Sequence, residues 1–340
     1  MRVETWGDAS LWDAYVESSP DACNYQRWVW KQVIIETCGH RPYYLAAVNE
    51  GVLQGVLPLF LIKSRTFGNS LVSMPFFSYG GVLAGTEEAR DALLTEAVAL
   101  GRELRVRHVQ LRQGSPCPDG WQEATRKVTM LVDLPADVDD LWKGLSTGMR
   151  NKIRSARKRG LTSDCGGIER LDAFYDIFAA NMRDVGTPVY PRSWFENVCR
   201  YNPASVKILT VWDEGRPVAA GLISLFRETA EWPWSATLAA ARRKYGAVFL
   251  YWALLEWALQ NGYRRVDFGR CTPGGGNWEF KRHWGCVEKP LNWWCWLAPG
   301  ERAPDLHADN PRYRLAVRIW QHLPLGVANW LGPRVACSIP

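Results

Sequence analysis

Over residues 205–238 the apolar and polar positions read as strands and, from Gly246, as a helix. Ser205 to Asp213 and Pro217 to Phe226 form a predicted hairpin turning at Glu214-Gly215, and Thr229 to Leu238 reads as a further strand. Gly246 to Gln260 is apolar nearly all round, through Val248, Phe249, Leu250, Trp252, Leu254, Leu255, Trp257 and Leu259. A helix with no polar face has to be sandwiched in a core. Asn261-Gly262 supplies its C-cap and leads into the strand Tyr263 to Phe268. An earlier stretch echoes this one. EGVLQGVLPLF (Glu50 to Phe60) and EGRPVAAGLISLF (Glu214 to Phe226) both read as a turn and then a strand ending in Leu-Phe, with Gly55 and Gly221 166 positions apart. A helix running into VRHVQLR (Val106 to Arg112) matches the one running into YRRVDFGR (Tyr263 to Arg270), Val109 and Val266 being 157 apart. Similar spacing suggests a duplicated domain, with a chance likeness of two α/β segments as the alternative.

Between the halves, Thr147 to Arg159 reads as a helix capped by Ser146 or Thr147 and ended by Gly160. Met149, Ile153 and Ala156 make its apolar stripe, and Arg150, Lys152, Arg154, Arg157, Lys158 and Arg159 its basic face. So dense a basic helix suits phosphate, or is a solvated linker. The end of the chain, Tyr313 to Leu331, reads as two short amphipathic helices broken at Pro324, which could dock on the core or lie against a membrane. The expected division is therefore 1–145, the basic helix 146–160, 161–300 and a helical tail 301–340.

Composition narrows the class. With 340 residues, 47% hydrophobic and 22% charged, the chain can bury two ordinary cores. Nine cysteines without a CxxC pair, and an N-terminus without a signal-peptide pattern, favour a reducing cytoplasm. No apolar run approaches a membrane span, and a peripheral position at the inner membrane is kept open. The net charge of +6 favours an anionic ligand only mildly. No metal-ligand set is read.

The candidate chemistry lies in WEFKRHWG (Trp278 to Gly285), which follows YRRVDFGR and the triple glycine Gly274 to Gly276 as strand, loop and short helix. Lys281 is the cation placed to meet a reacting carbonyl. An ammonium is a poor match for protonating a thiolate but suits the negative charge of a tetrahedral intermediate. The five histidines are scattered, and only His283 is near. Asp267 either faces the cleft, where it could orient an acceptor amine, or pairs with Arg264, Arg265 or Arg270. An amine acceptor and an activated donor need little help from a base, so positioning carries much of the catalysis. Nineteen tryptophans, Trp278 among them, suit sugar rings as well as core packing.

Strand, loop, buried helix and strand is how N-acyltransferases of the GNAT superfamily build the acyl-donor site. Their donor loop, resembling [QR]xxGx[GA], holds pyrophosphate on backbone N–H groups and a helix N-terminus. Here it corresponds to Arg243, Lys244, Tyr245, Gly246, Ala247 and Val248, with Val248 replacing the final small residue. A solvated basic turn is the alternative. MPFFSYGGVL (Met74 to Leu83), KVTMLVDLP (Lys127 to Pro135), MRNKIRSARKRGL (Met149 to Leu161), NMRDVGTPVYPRSWF (Asn181 to Phe195), YRRVDFGR, WEFKRHWG and the tail Asn310 to Pro333 together resemble the FemAB branch, nearest to its subgroup associated with exosortase and exopolysaccharide clusters. The resemblance spans most of the chain from Val48.

It implies a mixed α/β (α+β) fold of two tandem GNAT-like domains, a central basic helix and a C-terminal helical tail. It also assigns the FK pair, Phe280 beneath and Lys281 on the reacting ester. Relatives that bind a nucleotide-linked muropeptide carry RxxY where this chain has Arg192 followed by Ser193, Trp194 and Phe195. Arg192 could still meet a phosphate, while Tyr190, rigidified by Pro188 and Pro191, offers a wall. Arg150, Arg154, Arg157, Tyr190, Arg192, Arg270 and Trp278 are the expected substrate-binding residues; Arg243, Lys244, Gly246 and Ala247 the donor-binding ones. The implied activity moves an acyl or aminoacyl group from acyl-CoA or aminoacyl-tRNA, as co-substrate rather than tightly bound cofactor, to an amine or hydroxyl of a cell-envelope or exopolysaccharide precursor, or of a related small molecule. The acceptor could be lipid-linked, with tRNA and peripheral membrane contact as further partners. Strict aminoacyl-tRNA dependence with a peptide-like acceptor, and a non-catalytic module holding an anionic glycan, are the alternatives.

Overall fold

A computed structural model describes residues 1–65, 67–112, 117–125, 127–302 and 311–339; residues 303–310, where the expected tail begins, lie outside it. In chain order the elements are β1 (Arg2–Thr5), α1 (Ala9–Ser18), α2 (Val29–Cys38), β2 (Arg41–Asn49), β3 (Val52–Ser64), β4 (Gly68–Ser73), β5 (Leu83–Ala84), α3 (Glu87–Glu103), β6 (His108–Arg112), β7 (Gln122–Glu123) and β8 (Val128–Asp133). There follow α4 (Val138–Gly144), α5 (Thr147–Lys158), β9 (Leu161–Gly166), α6 (Leu171–Val185), α7 (Arg192–Tyr201), β10 (Val206–Asp213), β11 (Arg216–Phe226) and β12 (Thr229–Thr237). The last are α8 (Gly246–Gln260), β13 (Arg265–Cys271), α9 (Gly276–Arg282), β14 (Val287–Pro290), β15 (Trp293–Leu297), α10 (Pro311–Gln321) and α11 (Leu325–Ala336).

Two compact units result, Met1–Arg126 with Pro290–Leu306 and Cys337–Pro340, and Lys127–Lys289 with His307–Ala336. The first holds the sheet β1-β2-β3-β4-β6-β15-β7, with β5 on β3; the second holds β14-β8-β13-β12-β11-β10-β9. The mixed α/β architecture with two such sheets is that of a tandem GNAT fold.

The halves repeat each other in detail. Glu50-Gly51 and Glu214-Gly215 have φ of 49° and 80°, and of 50° and 75°, so both hairpins turn through two residues of positive φ, as a type I′ turn demands. In each, the register slips at the same distance from the turn, between Ala47 and Val48 and between Val211 and Trp212. Matched on these turns, Gly55 corresponds to Ala219, not Gly221. The two glycines answer different needs: a Cβ on Gly55 would meet Leu83, Ala84 and Leu93, whereas one on Gly221 would lie 2.2 Å from the Trp232 ring.

The division falls after Arg126, ahead of the expected 145, because β8 pairs antiparallel with β13 of the second half while β15 returns to pair with β6 of the first. α5 also belongs to the second unit, where Met149, Ile153 and Ala156 join the core built around α8. That core takes Leu209, Val211, Ile223, Ala230 and Trp232 from one face of the sheet. β12 carries an extra residue at Trp232-Pro233, where Leu222 pairs Trp234 and Ser224 pairs Glu231. A bulge is where a proline, lacking its N–H, can sit within a sheet. The slip flips the strand, so Trp232 enters the α8 core while Trp234 lies edge-on to Phe195, at 5.4 Å. Truncating fully buried Leu254 of α8 to Ala would cost about 2–5 kcal/mol.

The tail docks on the second unit. Val317 of α10 would clash with any Cβ on Gly186, and Gly332 of α11 lies so close to the Val189 backbone that an added Cβ would come within 2.9 Å of it. Cys38 and Cys337 form a disulfide within the first unit, the other seven cysteines being free. Nothing in the cysteine spacing signals this pair, 299 residues apart.

Candidate active site

β12 and β13 are parallel through only three pairs, Thr229 with Arg265, Ala230 with Val266 and Glu231 with Asp267; beyond these, the two strands continue without pairing to each other. The fork so formed has buried carboxylates at its last paired position, Glu231 and Asp267, 8% and 3% exposed. β13 then bulges against β8 between Asp267 and Arg270, and Gly269 takes φ 73°, the left-handed conformation that a bulge of this kind assigns to glycine. Asp267 holds the bulge closed: Oδ1 accepts the Gly269 N–H at 2.8 Å and the Thr129 hydroxyl from β8. The Gly269 carbonyl in turn accepts Nζ of Lys281 at 2.8 Å, with the Arg270 carbonyl at 3.4 Å. Lys281 is 2% exposed on α9, so its ammonium faces inward.

A buried ammonium is disfavoured by lost hydration, and burial lowers the Lys281 pKa; Cys271, Asp267 and Cys286 act the other way, and Arg270 adds to the lowering. Burial likewise pushes the Cys286 thiol up to about 12 and raises Cys271, so both sulfurs stay protonated near neutral pH. Tyr251 of α8 is buried against Phe268, Phe280 and Trp284, and burial raises its pKa against a hydrogen bond with Ser235. Phe280 thus packs edge-on to Tyr251 at 4.9 Å, as part of the floor on which α9 rests. Trp278 is half-buried, its ring beneath the Arg282 guanidinium at 4.6 Å. His283 is exposed.

Ahead of α8, residues 239–244 form a 3-10 turn, and Tyr245 takes φ 60° to start the helix. Gly246 is required there, since a Cβ would come within 2.7 Å of that of Ala241. The Phe249 N–H bonds to the Tyr245 carbonyl, so the N–H groups of Gly246, Ala247 and Val248 precede the first intrahelical bond and suit an anion. Arg243 is exposed beside them; Lys244 is paired with Asp213 at 2.7 Å. α5 packs on α8. Arg159 at its end donates to the Arg243 carbonyl and lies over the Tyr245 ring at 5.5 Å. Arg157 instead pairs with Glu256, and Arg154 covers Trp142. Arg150, on the first turn of α5, donates to Thr147. Of the basic helix, therefore, Arg159 reaches the loop ahead of α8, while Arg150, Arg154 and Arg157 contact Thr147, Trp142 and Glu256. Nothing in a run of six cations distinguishes Arg159; only the packing of α5 does.

Tyr190 stacks on Trp194 at 5.5 Å and lies near the exposed Arg270, whose charge also acts on Lys281. Arg192 is engaged elsewhere, in ion pairs with Asp172 and Glu196. Asp267 forms none of the expected pairs with Arg264 or Arg265, which take Glu228 and Asp133. Sequence reading missed Glu231 and Thr129, which become legible only from the register.

The fork, its bulge and the helix that starts beside it agree with the sequence comparison. Residues 146–282 match the family described as acetyltransferase (GNAT) domain. This stretch is a GNAT acetyltransferase domain. No curated protein matches the chain by sequence. Among solved structures, FemX superposes with a TM-score of 0.69 at 16% identity, over 93% of this chain and all of that one. L-PGS from Bacillus licheniformis gives 0.54 at 13%, over 97% and 98%, and a tandem GNAT protein from the clavulanic acid pathway gives 0.54 at 12%, over 84% and 92%. At these identities the likeness fixes the fold.

The family match lies wholly in the second half. In the first sheet the matching parallel pairs are Ser70 with His108, Leu71 with Val109 and Val72 with Gln110. Val72 and Gln110 thus stand where the second half has Glu231 and Asp267, and Arg112 stands at the position of Gly269. Arg112 is 2% exposed, donates to the Phe77 carbonyl at 2.7 Å and lies 4.4 Å from the Trp293 ring centre. A buried arginine in regular pairing with Trp293 thus stands where the other unit has a glycine in a bulge.

Proposed function

We propose that the GNAT domain transfers an acyl or aminoacyl group from an activated donor to an amine or hydroxyl of a cell-envelope or exopolysaccharide precursor, with Lys281 at the reacting carbonyl. The observation that carries this is the inward-facing ammonium of Lys281, fixed by the Gly269 carbonyl at the fork of β12 and β13. The acceptor nitrogen attacks the carbonyl carbon, and the carbonyl electrons move to oxygen beside the ammonium. Collapse then breaks the C–O or C–S bond to the leaving group. The proton lost from the amine goes to a carboxylate of the fork, Glu231 or Asp267. Preorganised cations of this kind are worth about 10² to 10³ in rate.

The donor loop Arg243 to Ala247, with Arg159, suits the pyrophosphate of acyl-CoA or the phosphates of tRNA. Burial lowers the Lys281 pKa, bringing it nearer to a proton donor for an alkoxide leaving group, which an ester needs more than a thioester does. This favours aminoacyl-tRNA, in keeping with the FemAB resemblance and its exosortase-associated subgroup. Tyr190, Arg270 and Trp278 are the acceptor-side residues. The test is transfer from radiolabelled aminoacyl-tRNA and from acyl-CoA to a cell-envelope precursor pool, with and without ribonuclease. Transfer that ribonuclease abolishes selects the ester donor; ribonuclease-resistant transfer from acyl-CoA selects the thioester. Unchanged turnover in Lys281→Ala removes the assignment of Lys281.

A further inference from the structure

The two tail helices dock with their small or mixed faces and leave apolar ones outward. On α11, Ala328, Gly332 and Ala336 recur at helical spacing and are buried, whereas Val327 and Trp330 on the opposite side are 41% and 61% exposed. On α10, Val317 packs against Gly186 while Leu315 and Ile319, one turn apart, are 67% and 57% exposed. Scattered exposed apolar residues are ordinary, but pairs about one turn apart on the outward sides of two successive helices mark an interaction surface. The two helices carry arginines and no Asp or Glu of their own. Arg314 and Arg318 are exposed beside Leu315 and Ile319, with no carboxylate partner among the described residues, Arg334 lies over the Trp330 ring at 4.4 Å, and residues 311–339 contain no Asp or Glu.

We propose that this face of α10 and α11 docks on the surface of an anionic phospholipid bilayer. Apolar side chains would enter the headgroup boundary while the arginines meet lipid phosphates, with Trp330 at the level that indole prefers. Among the described residues no helix is long and apolar enough to cross a membrane, so the association is with the surface. A second copy of the chain is the weaker occupant, because a two-fold contact would set the same arginines against each other on helices that carry no acid of their own. The inference goes beyond the transfer reaction and rests on none of its residues.

The experiment is flotation of the full chain with vesicles of phosphatidylcholine alone and of equal parts phosphatidylcholine and phosphatidylglycerol, beside light scattering of the lipid-free protein. The wild type is expected to float with the phosphatidylglycerol vesicles and not with the neutral ones, and to be released by high salt. Ile319→Ser with Trp330→Ser, and separately Arg314→Glu with Arg318→Glu, should each weaken binding about tenfold or more with an unchanged melting temperature, since all four side chains are exposed. Equal flotation of the variants, no flotation of the wild type with either vesicle, or a lipid-free dimer that the serine variant converts to monomer would overturn the proposal. The charge-reversal pair keeps the test decisive if the serine variant folds poorly. Transfer between a soluble donor and acceptor should be unchanged in both, so its loss bears on the reaction alone.

Discussion

The ammonium of Lys281 lies 2.8 Å from the carbonyl oxygen of Gly269, a residue held in the left-handed region by the bulge of β13. The proposed catalytic cation is therefore placed by strand geometry as much as by its own helix. Lys281→Ala is expected to lower kcat by about 10² to 10³ with little change in KM. Lys281→Arg should not restore it, because the larger planar head cannot occupy the same buried place. Steady-state kinetics on both variants, with thermal melts to confirm folding, check this.

Asp267 acts on Lys281 at one remove, through the bulge it closes and through its charge. Because the carboxylate raises the lysine's pKa, Asp267→Asn should lower it further. The ammonium is the active form, so activity is lost as pH rises through that pKa, and the basic limb of the kcat profile should move to lower pH in the variant. Asp267→Ala also strips the Gly269 N–H of its acceptor, at a cost of about 1–3 kcal/mol in stability. A pH–rate profile that stays in place for Asp267→Asn would count against the coupling.

At the donor loop, Arg159→Ala should raise KM for the phosphate-bearing donor several-fold and leave the acceptor KM alone. Arg154→Ala, on the same helix but turned to Trp142, should change neither. Paired titrations of donor and acceptor separate the two outcomes.

In the first unit, His108 is 3% exposed and burial lowers its pKa to about 4. The folded pKa lies below the ordinary value of 6.5, so the neutral ring favours folding above about pH 6.5, and that stability is lost as pH falls toward 4. The loss amounts to about 3 kcal/mol at most. Melting curves from pH 7 to 4 should show it, and His108→Gln should flatten the dependence.

Gly221→Ala is expected to destabilise by about 1–3 kcal/mol, since the new methyl would overlap the Trp232 ring. Gly215→Ala should cost about 1 kcal/mol for a different reason: it meets open space but has φ 75°. Denaturant midpoints distinguish the two.

Much of the second half was legible because its elements are long and periodic. The helix Gly246–Gln260 and the strand from Thr229 have the limits their apolar patterns suggest, and the buried Lys281 stands in the frame its neighbours imply. The register of strands distant in sequence was not legible. Thr129 meets Asp267 only because β8 crosses to the second sheet, and Glu231 acquires a partner only where β12 and β13 part. The basic helix is a related case: charge density shows that a surface is cationic, while packing decides which arginine meets the loop ahead of α8.

The exchange of β8 for β15 has a consequence for how the duplicated chain can change. Without β8, the strand bearing Asp267 would have an open edge, and without β15 so would β6. A cut at Arg126 leaves β8 sealing the second sheet but takes β6 away from β15, so residues 290–306 would be left as a strand without its sheet. The segment that follows the second unit in sequence can be shielded only by the first.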